Sequence, residues 1–271
     1  MYNTMYNTNN RYLVIVLIVL IPLLVLLVFL KVNLDKFVES SKVKASSVTA
    51  AMPAGSHNIG EEITYDIKIG SINLGTSKFT HLNQVTRNGR VLNVMTVNTN
   101  MARFRDTELI YSDPNTCLPV RIERDISNWI FKERIVEDYD QERFTVTIEK
   151  KKGRRQESMI IKKDSPIHNS ILLPQYVRRI PRILKGGIII ANLPNHRFEI
   201  EMVSIEEIKT SAGTFKAYHF ASKPPQIQIW LSADKNRIPL KIQGTGVIGY
   251  TLVMREYSRG GNNQYTDKNG K

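Results

Sequence analysis

Hydrophobic and polar residues follow two different patterns along this chain. From Tyr12 to Leu30 there is no alternation: the uncharged run YLVIVLIVLIPLLVLLVFL stands between Arg11 and Lys31. As a helix it would be about 28 Å long, close to the hydrocarbon thickness of a bilayer. A helix also satisfies its own backbone N–H and C=O groups in lipid. The run therefore predicts one membrane-spanning helix over 12–30, after an N-terminal tail over 1–11. Pro22 would kink such a helix without abolishing it. Farther on the period is two. Ile63, Tyr65, Ile67 and Ile69 alternate with Thr64, Asp66 and Lys68; Phe144, Val146 and Ile148 alternate with Thr145, Thr147 and Glu149. The same holds for Phe198, Ile200 and Met202 against Glu199 and Glu201, and for Leu240 and Ile242 against Lys241 and Gln243. Such alternation marks strands with one buried face, the arrangement of antiparallel sheets. The expected fold is all-β with minor α: a curved antiparallel sheet or open barrel over 59–258.

One segment breaks the period. Ser165 offers an N-cap and Pro166 a first helical residue, and IHNSILLPQYVRRIPRIL follows before Gly186-Gly187. One or two short helices, Ile167–Leu173 and Gln175–Leu184, are expected to cross the mouth or face of the sheet. Two stretches echo each other. Ile110 to Ile122 and Ile229 to Ile242 each carry an aromatic-bearing strand, an Asp/Asn turn, then an apolar-Pro-apolar strand. Asp and Asn suit such a turn because their side chains bond nearby backbone groups, and Pro fits a strand start. A duplication and two ordinary hairpins fit the echo equally.

Residues 31–58 are poor in aromatics and end in the small, polar ASSVTAAMPAGSHN, a flexible spacer by composition. The polar tail over 259–271 reads as disordered. The apolar run exceeds a signal peptide's core and no small-residue cleavage site follows closely, which favours an uncleaved anchor. Lys31, Lys36, Lys42 and Lys44 outnumber Arg11 across the run, and taken alone that charge count places the C-terminal domain in the cytoplasm.

The net charge of +13, from 38 Lys plus Arg against 25 Asp plus Glu, has its densest cluster in KKKGRR, Lys150 to Arg155. Attraction to anionic lipid and a solvated hairpin tip both account for it. No aromatic interleaves the basic run, which argues against nucleic acid. Cys117 is the only cysteine, so no intramolecular disulfide exists, and it reads as a small buried hydrophobe. The histidines His57, His81, His168, His196 and His219 are scattered without metal-ligand spacing. No nucleophile elbow, phosphate loop or dinucleotide fingerprint occurs, and neither a cofactor nor a metal nor a catalytic residue is expected. Aromatic placement is the hint of a ligand. Trp230 shares its face with Gln226 and Gln228, and Trp129 and Phe131 lie on one face with Ser127. An aromatic on a polar face lines a pocket rim or is covered by the helical segment. The pocket candidates are Tyr65, Trp129, Tyr176, Arg179 and Trp230.

Gly60-Glu61-Glu62-Ile63-Thr64-Tyr65 with Gly75, Tyr176 to Arg179, Gly186-Gly187, Thr210 to Phe215, Ile229 to Asp234 and Arg237 to Ile242 occur in that order. In this combination the chain resembles the bacterial envelope family known as domain of unknown function 3108, over nearly all of Gly60 to Tyr257. The resemblance implies an exported domain with a curved antiparallel sheet, similar to periplasmic lipoprotein carriers, and no transferable catalytic residue. It implies a periplasmic domain, against the charge count; the single-pass inner-membrane anchor read from the apolar run departs from the family's cleavable signal. The function expected is non-enzymatic binding of an apolar or amphipathic ligand, lipid or lipoprotein-like. The alternative is an envelope scaffold that binds proteins.

Overall fold

In the computed structural model, residues 58–245 and 249–260 are described, and all of them fall in one compact unit. The expected tail over 1–11, the membrane helix over 12–30 and nearly all of the spacer lie outside the described residues, as does 261–271. Among the described residues no helix is long and apolar enough to cross a membrane.

Eight strands run first: β1 (Glu61–Ile69), β2 (Ile72–Arg87), β3 (Arg90–Met101), β4 (Phe104–Ser112), β5 (Pro119–Asn128), β6 (Lys132–Asp140), β7 (Thr145–Lys152) and β8 (Arg155–Lys162). After a connector holding helix α1 (Leu173–Arg178) come β9 (Ile188–Asn192), β10 (Arg197–Thr210), β11 (Gly213–Lys223), β12 (Ile227–Ser232), β13 (Pro239–Gly244) and β14 (Tyr250–Arg259). Each half is an antiparallel meander. The two are joined where β14 pairs with β1, from Glu61 opposite Arg259 to Lys68 opposite Thr251. The result is one 14-stranded sheet in the order β8-β7-β6-β5-β4-β3-β2-β1-β14-β13-β12-β11-β10-β9. Among the described residues β8 and β9 remain unpaired on their outer sides, so the sheet does not close.

Sheet twist and bulges bend this surface. The register shifts at Thr64/Tyr65, Leu82/Val85, Tyr111/Ser112, Met202/Ser204 and Trp230/Leu231. A bulge inserts a residue on one strand and sharpens the local twist. β10 accordingly reaches β13 and β14, three and four places along the order. Gly75 marks a close approach between strands. Its φ is +154°, and a Cβ there would lie 2.1 Å from the Asn100 carbonyl oxygen.

The connector runs from one sheet edge to the other and supplies apolar side chains to the core. Ile167 and Leu172 join a cluster with Ile63, Tyr65, Phe79, Val97, Ile110, Val146 and Met254. Leu173 and Val177 join a second cluster with Phe198, Ile200, Met202, Phe220, Ile229 and Leu231. Its helix content differs from expectation. Ile167–Leu172 holds turns, and the helix starts at Leu173, with Pro174 in its first turn and no side-chain cap. Ahead of the helix, Asn169 Oδ1 accepts from the backbone of Ile171 at 2.8 Å and Leu172 at 3.3 Å, a side-chain turn that competes with a helical turn there. The second expected helix, Gln175–Leu184, is cut short at Arg178, ahead of Pro181.

Candidate functional site

Helix α1 delivers two adjacent arginines to one end of the sheet. Arg178 is buried and faces Glu61, which has no exposed surface at all. Its Nη1 and Nη2 donate to the two Glu61 carboxylate oxygens at 2.6 and 2.8 Å, while Nε donates to the Asn236 carbonyl at 2.8 Å. The Tyr257 hydroxyl donates to Glu61 Oε1 at 3.2 Å, and His81 Nε2 lies 3.7 Å from Oε2. Arg179 turns the other way and donates through Nη1 to the Pro114 carbonyl at 2.8 Å. The two echoing turns thus hold α1 from both sides, one arginine to each. Each turn is organised by an aspartate. Asp113 Oδ1 accepts from the backbone of Asn115 and Thr116, and Asp234 Oδ1 from Asn236 and Arg237. Each also has a left-handed residue two places before its proline, Cys117 (φ 61°) and Arg237 (φ 48°). Arg237 closes the arrangement, donating to the carbonyls of Arg178 at 3.2 Å, Pro181 at 3.3 Å and Ile180.

Beside this network opens a cleft of about 620 Å³ lined by Gln175, Arg178, Arg179, Tyr218, Lys235 and Arg237, with Asp234 also in its wall. The Glu61–Arg178 pair is neutral as a unit, so Arg179, Lys235 and Arg237 against Asp234 leave the wall cationic. Arrangements of this kind suit a carboxylate or phosphate group.

A buried charge cluster lies elsewhere on the sheet. Arg124 grips Asp106 with Nη2 at 2.5 Å and Nε at 3.0 Å, and its Nε stands 3.5 Å from Glu108. Burial pushes the Glu108 carboxyl up to about 8, against the pull of Arg124. The Tyr139 hydroxyl donates to Glu137 at 2.5 Å. Although carboxylates abound, no described group of three or more His, Cys, Asp or Glu is disposed to hold a metal ion.

The family described as "Protein of unknown function (DUF3108)" matches residues 64–255. The chain belongs to that family. Three solved structures align with about three quarters of this chain. A β-barrel-like DUF1849 protein from Brucella abortus is 7% identical, with a TM-score of 0.45 over 75% of this chain and 98% of that one. A Bacteroides fragilis protein described as exported, with a YmcC-like fold, is 10% identical, with a TM-score of 0.27 over 74% and 96%. A Parabacteroides distasonis protein described as a lipoprotein is 10% identical, with a TM-score of 0.26 over 78% and 100%. No curated protein matches the chain.

Four of the six pieces of sequence that carry the DUF3108 resemblance meet in space. Glu61 from the first, Arg178 and Arg179 from the second, and Asp234 and Arg237 from the last two build the network just described. Of the expected pocket residues, Arg179 lines the cleft and Tyr176 sits half-buried on α1, edge-on to the His168 ring at 4.6 Å. The other three are dispersed. Tyr65 lies in the core and donates to the Pro239 carbonyl at 2.9 Å, its phenol pKa driven far up by burial and by Glu61. Trp230 is 4% exposed. Its ring is stacked 4.3 Å from His219 with Lys241 Nζ at 4.1 Å, and its Nε1 donates to Glu206. Trp230 also shares a core cluster with Ile167 and Leu172 of the connector, against which Tyr176 of α1 packs, while Leu173 and Val177 of α1 join the cluster of Ile229 and Leu231. Trp129 stands on the β5–β6 hairpin turn, 58% exposed. The sequence reading passed over Glu61, Arg178, Lys235 and Arg237. The available signal was a charged residue opening an alternating strand, matched by an arginine on the apolar connector.

Proposed function

We propose that this DUF3108 protein is a non-enzymatic binding module of the bacterial envelope. The segment Tyr12–Leu30 anchors it in the cytoplasmic membrane with the β domain on the outer side. The ligand is an amphipathic molecule whose acidic head group enters the cleft beside α1. One observation carries this reading: Arg179, Lys235 and Arg237 converge on a single cleft, on a frame fixed by the buried Glu61–Arg178 pair. Because the connector contributes Ile167, Leu172, Leu173 and Val177 to the core clusters, recognition rests on the charged group more than on a hollow apolar interior. Binding of a fluorescent fatty acid to the detergent-solubilised full chain tests it. Arg179→Gln and Lys235→Gln should each weaken binding about tenfold, the scale of one charge-assisted hydrogen bond. The same tail with an uncharged head should bind the unaltered chain no better than the fatty acid binds a variant carrying both Arg179→Gln and Lys235→Gln. Equal binding of both probes overturns the reading. The orientation has its own check: alkaline phosphatase fused after Lys271 is expected to be active, and activity only in a cytoplasmic reporter would refute it.

A second reading, a scaffold for envelope proteins, is favoured by the free outer edge of β8. Met159 and Ile160 there are both exposed, and exposed strand edges accept added strands. Ile160→Lys should then abolish partner capture while leaving fatty-acid binding unchanged.

A further inference from the structure

At the end of the sheet away from the cleft, three neighbouring hairpin turns gather aromatic, aliphatic and basic side chains. The β5–β6 turn presents Trp129, 58% exposed, and Ile130, 65% exposed. The β3–β4 turn sets the Arg103 guanidinium 5.9 Å from the Trp129 ring centre, and the β7–β8 hairpin lays Lys152 Nζ 3.7 Å over Phe131. Lys132, Lys151, Lys152 and Arg154 are all exposed around them, as is Arg103. None of these five cations is ion-paired among the described residues. The turn itself is preformed. Asn128 Oδ1 accepts from the backbone of Ile130 and Phe131, both at 2.8 Å, and Asn128 N donates to the Phe131 carbonyl at 3.0 Å. The peptide N–H groups beside the two protruding apolar side chains therefore already have acceptors, which removes the main cost of entering a less polar phase.

We infer that these three turns form a contact surface for an anionic phospholipid bilayer, with Trp129 and Ile130 entering the interface and the surrounding Lys and Arg meeting lipid phosphates. Trp is favoured at the depth of the head groups, and long basic side chains keep their charge at the phosphates while their stems lie along apolar material. The like charge of the whole patch selects an anionic surface over a zwitterionic one. This inference stands apart from the cleft, because it uses other residues at the opposite end of the strands.

The full chain contains two tryptophans, and the other, Trp230, is buried. Its emission can therefore be subtracted with the Trp129→Phe variant. We would place the full chain in nanodiscs of phosphatidylglycerol or of phosphatidylcholine, so that the membrane segment is housed alike in both. Expected is a blue-shifted Trp129 emission, quenched by brominated acyl chains, in phosphatidylglycerol alone. Each basic residue near an anionic surface adds about fivefold to partitioning. The triple variant Lys151→Glu, Lys152→Glu, Arg154→Glu should thus lower it by roughly a hundredfold or more and restore the phosphatidylcholine spectrum. These side chains are exposed, so the fold persists, as circular dichroism would verify. Water-like emission in phosphatidylglycerol, equal quenching in both lipids, or a shift caused instead by single-stranded nucleic acid overturns the inference.

Discussion

Arg178 and Glu61 sit 117 residues apart in sequence, yet two hydrogen bonds join their opposite charges in the buried interior. Removing one member of a buried ion pair leaves the other charge desolvated, at a cost of about 3–5 kcal/mol. Arg178→Met and Glu61→Gln are each expected to destabilise by that amount in urea unfolding, whereas Arg179→Gln, at the half-buried cleft wall, should cost under about 1 kcal/mol. Two buried titratable groups give the stability a pH signature. Glu108 holds its proton up to about 8 in the folded protein, well above its usual 4.5, so folding takes up a proton between those values and stability falls as pH rises through them. His168 is held down to about 4 by burial, below its usual 6.5, so its contribution rises with pH from 4 to 6.5. The two oppose each other from 4.5 to 6.5, and Glu108 acts alone from 6.5 to 8. Relative to wild type, Glu108→Gln should lose a decline of up to about 1.4 kcal/mol per pH unit above pH 6.5. His168→Gln should lose a rise below it. Thermal melts from pH 4 to 9 would read both.

At the scale of elements, the strands were legible because a period-two pattern with one buried face has few other solutions. Ile63, Tyr65 and Ile67, Val146 and Ile148, and Phe198, Ile200 and Met202 all turn into core as the alternation requires. The connector was misjudged in extent. Prolines at 174 and 181 outweigh the helical favour of the residues between, leaving the single short α1. The echo of the two Asp-to-Pro turns was visible, but their common task of receiving Arg178 and Arg179 was not, since neither arginine adjoins them in sequence. Gly75 is the element-level position most sensitive to change. Gly75→Ala would drive a Cβ into the Asn100 carbonyl, and the β2–β3 pairing should loosen at Gly75–Met101. A loss of about 2–3 kcal/mol, with faster amide exchange confined to that hairpin, is expected.

For the whole molecule, the decisive contact is β14 on β1. It joins the two meanders into one sheet, while the connector ties the outer edges together over the core. Truncation before Tyr250 would leave β1 and β13 each unpaired on one side and separate the two meanders, and the cooperative thermal transition should be lost rather than merely lowered. The sequence by itself determined the strand character of the alternating segments, the all-β class and the apolar run over 12–30, because those follow from local periodicity. Tertiary structure alone decided which charges meet. Glu61, Arg178, Asp234 and Arg237 are brought together by long-range pairing and by the path of the connector, and a charge carries no periodicity that reveals its partner.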